Sequence, residues 1–162
     1  MIPGFDARVR SGAVHALALG GGSLWLGGAF TRVGDAERRN LARVHPATGA
    51  LGPAPPAPNL QVDALLARSG RLYLGGVFWS IGGRERLRAA AIDLATGSLA
   101  PFDPALVCPV MAFAPLGSGL LAGGGLQQHL CGRSRGLALV HPASGQPSAT
   151  TVPAAQSPAV YA

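Results

Sequence analysis

The sequence predicts an all-β fold, an incomplete β-propeller of three four-stranded blades of 48 residues each. Three observations predict it. A seven-residue phrase is stated three times, as LWLGGAF (24–30), LYLGGVF (72–78) and, worn down, LLAGGGL (120–126), at a constant interval of 48 residues. Other landmarks keep that interval: Val14, Val62 and Val110; Leu24, Leu72 and Leu120; and the turn glycines Gly49, Gly97 and Gly145. No segment shows a convincing 3.6-residue apolar stripe, whereas four short strand-like segments fit each interval. Repeats of about 20–50 residues build solenoids, propellers or arrays, and four strands per repeat is the blade of a propeller.

The first repeat supplies AVHALAL (13–19) as strand one, a Gly-rich turn, and LWLGGAF as strand two. The stretch TRVGDAERRN (31–40) is a longer loop, LARVH (41–45) is strand three, and after the turn PATGA a Pro-interrupted segment (51–58) stands where strand four belongs. The second repeat runs VDALLA (62–67), RLYLGGVF (71–78), RAAAIDL (88–94) and SLAPFD (98–103). The third runs PVMAFA (109–114), LLAGGGL (120–126), GLALVH (136–141) and QPSATTV (146–152). The segment RERLRAAAIDL (84–94) is the nearest approach to a helix, but its counterparts carry β-branched or glycine residues and end in Pro, so strand is the consistent reading. The twin glycines of strand two fit a strand covered on both faces, where a missing side chain lets backbones approach or permits a bulge.

The chain opens and closes in mid-phrase. PGFDARV (3–9) matches the close of a repeat and SPAVYA (157–162) the opening of another. The expected division is residues 1–10 as the tail of a preceding blade, 11–58, 59–106 and 107–155 as blades, and 156–162 as the head of a next. Propellers typically close with about four to eight blades. Three leave two terminal faces uncovered, so either further blades come from the same polypeptide or copies complete a ring as a head-to-tail homo-oligomer.

Composition narrows the function. With 48% hydrophobic residues the chain can build a core, and 24 glycines and 14 prolines point to many turns. All thirteen basic residues are Arg, which, beside the Ala, Gly and Pro load, reads as coding bias more than chemistry. The formal charge of +6 permits an anionic partner, but aromatics are only 6% and no dense basic cluster is interleaved with them, which argues against nucleic acid. No apolar run reaches the roughly 18 residues of a membrane span, and MIPGFDARVR lacks the apolar stretch of a signal peptide.

The pattern V-x-A-L…L-x-L-G-G-x-F…R-x-x-L-A…P-x-T-G…F-D-P, carried by Val14, Ala16, Leu17, Gly27, Gly28, Phe30, Leu41, Ala42 and Gly49 and completed by Phe102, Asp103 and Pro104, resembles the bacterial delta-sixty propeller repeats. It is more distantly similar to fungal cortical cell-polarity propellers. The third repeat departs from it, with Leu126 in place of the strand-end Phe. The resemblance implies a propeller of secreted or surface proteins and brings no catalytic residues. A rival likeness, of ARVHPATG, AAIDLATG and ALVHPASG to quinoprotein dehydrogenase propellers, lacks the docking Trp after each stretch, since Trp25 and Trp79 lie on or after strand two.

Three groups of residues are candidates for chemistry. Cys108 precedes strand one of the third repeat and Cys131 lies in its strand two–three loop, so both fall at one edge of a blade. They form either a disulfide, implying an oxidising compartment, or two unrelated small residues. Arg38, Arg39, Arg84, Arg86, Arg133 and Arg135 crowd the loops after strand two on one rim. That rim either faces an acidic glycan, a phosphate or a protein carboxylate, or it solvates loops and pairs with local Asp35, Glu37 and Glu85. His45 and His141, with Asp93 between them in register, read as turn-stabilising side chains, while His15, Asp63 and Met111 share one position on the innermost strand. No catalytic residue, metal site or cofactor is expected: acids number seven, and no Ser stands in a G-x-S-x-G context.

The expected role is therefore a non-enzymatic scaffold or binding module of a bacterial extracytoplasmic protein, presenting one loop rim to a protein or carbohydrate partner. The alternatives are the propeller portion of a larger secreted hydrolase and a quinone-dependent oxidoreductase.

Overall fold

The computed structural model describes residues 5–124 and 136–147. Among them the chain is all-β, without helix, in four small antiparallel sheets. Sheet 1 comprises β1 (Val9–Gly20) and β2 (Ser23–Val33), with β3 (Ala36–Glu37) and β4 (Leu41–Val44) pairing along different stretches of β2. β5 (Val62–Arg68) and β6 (Arg71–Gly76) are followed by a two-stranded hairpin of β7 (Ser80–Ile81) and β8 (Arg84–Glu85), and β9 (Ala89–Asp93) then joins β6 to complete sheet 2. Sheet 3 has the order β10 (Ala112–Leu116), β11 (Gly119–Gly123), β12 (Leu137–Val140).

Two details differ from the sequence reading. Residues 31–40 form a hairpin where a loop is expected: β2 runs on to Val33 and returns as β3, with Arg32 opposite Glu37 and Val33 opposite Ala36. The β7–β8 hairpin repeats this 48 residues later, pairing Ser80 with Glu85 and Ile81 with Arg84. Val33 and Ile81 are buried beneath the two turns, so one apolar side chain pins each excursion to the core. The expected fourth strands of the first two repeats are reduced to single bridges, Val44–Leu51 and Ile92–Leu99; in the third, Val140 bridges Pro147 and the rest of the expected strand lies outside the described residues. Prolines 53, 55, 56 and 58 in the first repeat, and 101 and 104 in the second, have no N–H to donate and stop the ladder after one pair.

The twin glycines do two separate jobs. A Cβ on Gly27 would lie 2.7 Å from Cγ1 of Val62, and one on Gly75 2.6 Å from Cγ1 of Val110. The first glycine of each pair thus seats the strand-one valine of the following sheet. A Cβ on Gly28, Gly76 or Gly124 would instead collide with the carbonyl oxygen of Ala13 on β1, Gln61 just before β5 or Pro109 before β10. There the register slips, between Val14 and Ala16 in β1 and between Val62 and Ala64 in β5, leaving His15 and Asp63 as bulge residues. The same glycines donate their N–H groups to the carbonyls of Asn40, Arg88 and Gly136, at 3.1, 3.0 and 2.9 Å. Those three residues, 48 apart, all hold left-handed backbones (φ +61°, +65° and +69°). Asn and Gly tolerate that conformation, and Arg88 is the strained member.

Alternation along strand two builds three apolar layers. Leu26, Phe30, Val33, Ala42 and Val44 pack on one face of sheet 1 with Phe5, Ala7 and Val9. Trp25 and Leu41 on the other face meet Val62, Leu72, Leu74, Phe78, Ile81 and Ile92 of the second repeat. Tyr73, Ala89, Ala91 and Phe102 meet Val110, Leu120, Ala122 and Val140 of the third. Tyr73 and Phe102 lie edge to face, centroids 5.2 Å apart. Trp25 is held by a hydrogen bond from Nε1 to the Gly20 carbonyl at 3.1 Å and by the Arg43 guanidinium 5.8 Å above its ring. Trp79 is exposed.

The turn after strand three is capped as the sequence suggests. Ala47 N–H donates to His45 Nδ1 at 3.3 Å and Ala143 N–H to His141 Nδ1 at 3.2 Å. Asp93 accepts from the backbone of Thr96 (2.9 Å), the Thr96 hydroxyl (3.1 Å) and the backbone of Ala95 (3.0 Å). These bonds, the Thr96 amide first, hold the Asp93 carboxyl below its usual range, with the charge of Arg71 adding a smaller pull.

Two outcomes follow from this packing. Gly27→Ala and Gly28→Ala each destabilise by roughly 3 kcal/mol in urea unfolding. Val62→Ala relieves part of the first loss and none of the second; equal relief of both would refute the separate jobs of the two glycines. Because Asp93 has a lowered folded value, its stabilisation is full above the ordinary carboxylate range of about pH 4 and is lost as pH falls through that lowered value. Melting temperatures of wild type and Asp93→Asn therefore differ most above about pH 5 and converge in acid.

Candidate functional site

Arginines at the strand two–three edge divide by what they touch. Arg38 and Arg86, 48 residues apart, make the same bond, Nη1 to the carbonyl of the preceding Glu37 or Glu85, at 2.8 Å in both. Arg38 also donates to Gly52 O at 3.4 Å, and Arg86 faces Asp103 Oδ2 at 3.4 Å. The Nε of each is buried without a hydrogen-bond partner among the described residues. Both are half-buried struts of the fold. Arg39 is exposed and paired with Glu37 at 2.7 Å. Arg84 is exposed and makes no ion pair among the described residues. Of the six expected rim residues, Arg84 is therefore the one whose guanidinium is presented uncommitted; Arg133 and Arg135 lie outside the described residues. So does Cys131, and the pairing of Cys108 with it stays an expectation.

At the two bulges the structure brings together residues that sequence separation keeps 48 apart. His15 Nδ1 lies 2.9 Å from Asp63 Oδ1, which also accepts from Gln61 Nε2 at 2.9 Å. The Asp63 side chain is only 6% exposed, and its Oδ2 is buried with no hydrogen-bond partner among the described residues. The pair ties β1 to β5 across the boundary between sheets 1 and 2. Met111, third in register, is exposed. Asp63 fixes the imidazole orientation, but no serine or cysteine stands in contact with it to be activated. Among the described residues no three His, Cys, Asp or Glu side chains gather to hold a metal ion, and no helix is long and apolar enough to cross a membrane.

A third feature lies at the opposite edge, among the strand one–two turns, and the sequence reading did not single it out. A cleft of about 270 Å3 opens between sheets 2 and 3, lined by Arg68, Ser69, Arg71, Tyr73, Ser118 and Pro142. Arg68 donates to Gly119 O (2.9 Å) and Gly117 O (2.7 Å) of the β10–β11 turn. Arg71 Nη1 (2.8 Å) and the Tyr73 hydroxyl (3.0 Å) both donate to Pro142 O. The signal available in the sequence is a break in register. Arg68 stands where the other repeats have Gly20 and Leu116, and Arg71 where they have Ser23 and Gly119.

No protein-family model and no curated protein matches the chain. Among solved structures it is similar to the computationally designed Ika8 protein, with a TM-score of 0.49 and 14% identity over 89% of this chain and 50% of that one. It is similar also to the computationally designed Ika4 protein, with a TM-score of 0.49 and 13% identity over 85% of this chain and 96% of that one. The chain thus spans half the length of Ika8.

The bulge pair generates a quantitative expectation. His15→Ala leaves the buried Asp63 carboxylate with Gln61 alone and costs about 1–2 kcal/mol in chemical denaturation. The His15→Ala/Asp63→Ala double variant loses less than the sum of the single losses, because the orphaned charge is gone. Strict additivity would mean that the contact contributes nothing.

Proposed function

We propose that the chain is a section of a β-propeller of the delta-sixty type, serving as a non-enzymatic binding module of an extracytoplasmic bacterial protein. In this reading Cys108 and Cys131 are bridged, and the strand two–three rim meets a protein or carbohydrate partner through Arg84, with Arg39 beside it and Arg133 and Arg135 continuing the surface.

The observation that carries the reading is an exposed strip on sheet 1. Val14, Leu17 and Leu19 are 37%, 59% and 69% exposed. Their counterparts 48 residues later, Val62, Leu65 and Ala67, are packed against sheet 1, with Val62 fully buried over Gly27. The strip therefore carries the side chains of a sheet-to-sheet contact without a described sheet in front of it. On sheet 3, Gly123 holds the receiving position of Gly27 and Gly75, and Leu137 beside it is exposed. Surfaces of this kind are completed by another blade, whether from a longer polypeptide or from a second copy docked head to tail.

The test is sedimentation. The isolated chain self-associates with rising concentration, and Leu17→Glu, which charges an exposed position without disturbing a buried one, shifts it toward monomer. A clean wild-type monomer at high concentration would refute the uncovered blade face. Rim recognition is read on a glycan array, where Arg84→Ala/Arg133→Ala abolishes the signal; a signal that survives the double substitution removes the rim from the proposal.

A further inference from the structure

We infer that the cleft between sheets 2 and 3 is a binding site for an acidic sugar residue, separate from the arginine rim and on the opposite edge of the sheets. The cleft stands whether or not the rim binds anything.

The corresponding place between sheets 1 and 2 shows what the fold needs there. A Cβ on Gly20 would meet Leu94 Cδ1 at 3.0 Å and Ala67 Cβ at 2.7 Å, and one on Gly21 would meet Leu94 Cβ at 3.1 Å. Leu94 thus plugs that boundary with apolar contact. At the next boundary Pro142 stands in the place of Leu94, and Arg68 and Arg71 stand where the first repeat has Gly20 and Ser23. An apolar plug has been exchanged for two guanidinium groups around an open volume of about 270 Å3. Neither arginine is required by the repeat, since the first and third repeats form the same turn without them.

The chemistry of the lining selects the ligand. Among the described residues no acidic side chain lines the cleft. Asp93, opposite Arg71 in the ladder, feels its charge but spends its hydrogen bonds on the amides and hydroxyl of Ala95 and Thr96. Arg71 uses one N–H on Pro142 O and Arg68 two on the β10–β11 turn, so both guanidinium groups are oriented by the protein and retain donors for an anion. Ser69 and Ser118 add hydroxyls that both donate and accept, which suits a polyhydroxylated ring more than a bare anion. The volume is just below the roughly 300–1,000 Å3 of pockets for drug-sized molecules, which favours a ligand of a single ring.

Calorimetric titration of the whole chain tests this with glucuronate, glucose and N-acetylglutamate as probes. Glucuronate binds, glucose does not, and N-acetylglutamate binds at least about tenfold more weakly than glucuronate. Arg71→Ala weakens glucuronate at least about tenfold through the lost charged donor. Ser118→Trp, on an exposed turn, blocks the cleft with both charges in place, and its thermal melt establishes that it folds. Equal binding of glucose, equal or tighter binding of N-acetylglutamate, or full glucuronate affinity in both Arg71→Ala and Ser118→Trp would overturn the assignment.

Discussion

The contact on which the structure depends is a valine seated on a glycine. Val62 over Gly27 and Val110 over Gly75 set how closely consecutive sheets approach, and the apolar layers form around those two points. A strand buried on both faces has no room to adjust, because a densely packed interior responds to one added methyl by shifting backbone. The second glycine of each pair is the condition for the first. By letting the strand-one bulge come close, it turns the following residues into register, so that Val62 points at Gly27 and Asp63 turns toward His15. One dipeptide thereby fixes the intrasheet bulge and the intersheet distance together.

Much of this was legible in the sequence, and the reason is periodicity. A constraint that recurs every 48 residues appears as identical residues at identical spacing, so the strands, the strand-two glycines and the His45, Asp93 and His141 turns were all readable. The fourth strands of the first two repeats were legible as positions but not as single bridges, since pattern alone does not weigh the N–H groups that proline removes. The β2–β3 and β7–β8 hairpins were missed because one buried Val33 or Ile81 in a polar stretch is too little for a period of two. The left-handed triple of Asn40, Arg88 and Gly136 was hidden for a different reason: three unlike residues satisfy one backbone requirement.

The sites were less legible than the frame, because function is written in departures from a repeat. The rim arginines are visible as a run of charge, yet charge does not show commitment: Arg38 and Arg86 prove to be struts, while Arg84 makes no ion pair among the described residues. His15 and Asp63 share a register position and so were grouped, but only the packing of β1 against β5 makes them partners. Arg68 and Arg71 break the register outright, and that break, more than any motif, is the trace a one-sided cleft leaves in a repeated sequence.

A repeated fold divides its labour accordingly. Positions that seat one sheet on the next must be the same in every repeat, because each interface is the same interface, and a change there costs stability at that boundary. Positions at the turns carry no such duty and are free to differ. In this chain the two edges have used that freedom differently: one edge bears hairpins pinned by Val33 and Ile81 with arginines around them, the other an apolar plug at one boundary and a cationic cleft at the next. Recognition placed at a boundary has a further consequence, for Arg68 and Arg71 both extend from sheet 2 onto carbonyls of the third repeat. A ligand gripped there holds two sheets at once, so occupancy of the cleft and cohesion of the stack are thermodynamically coupled.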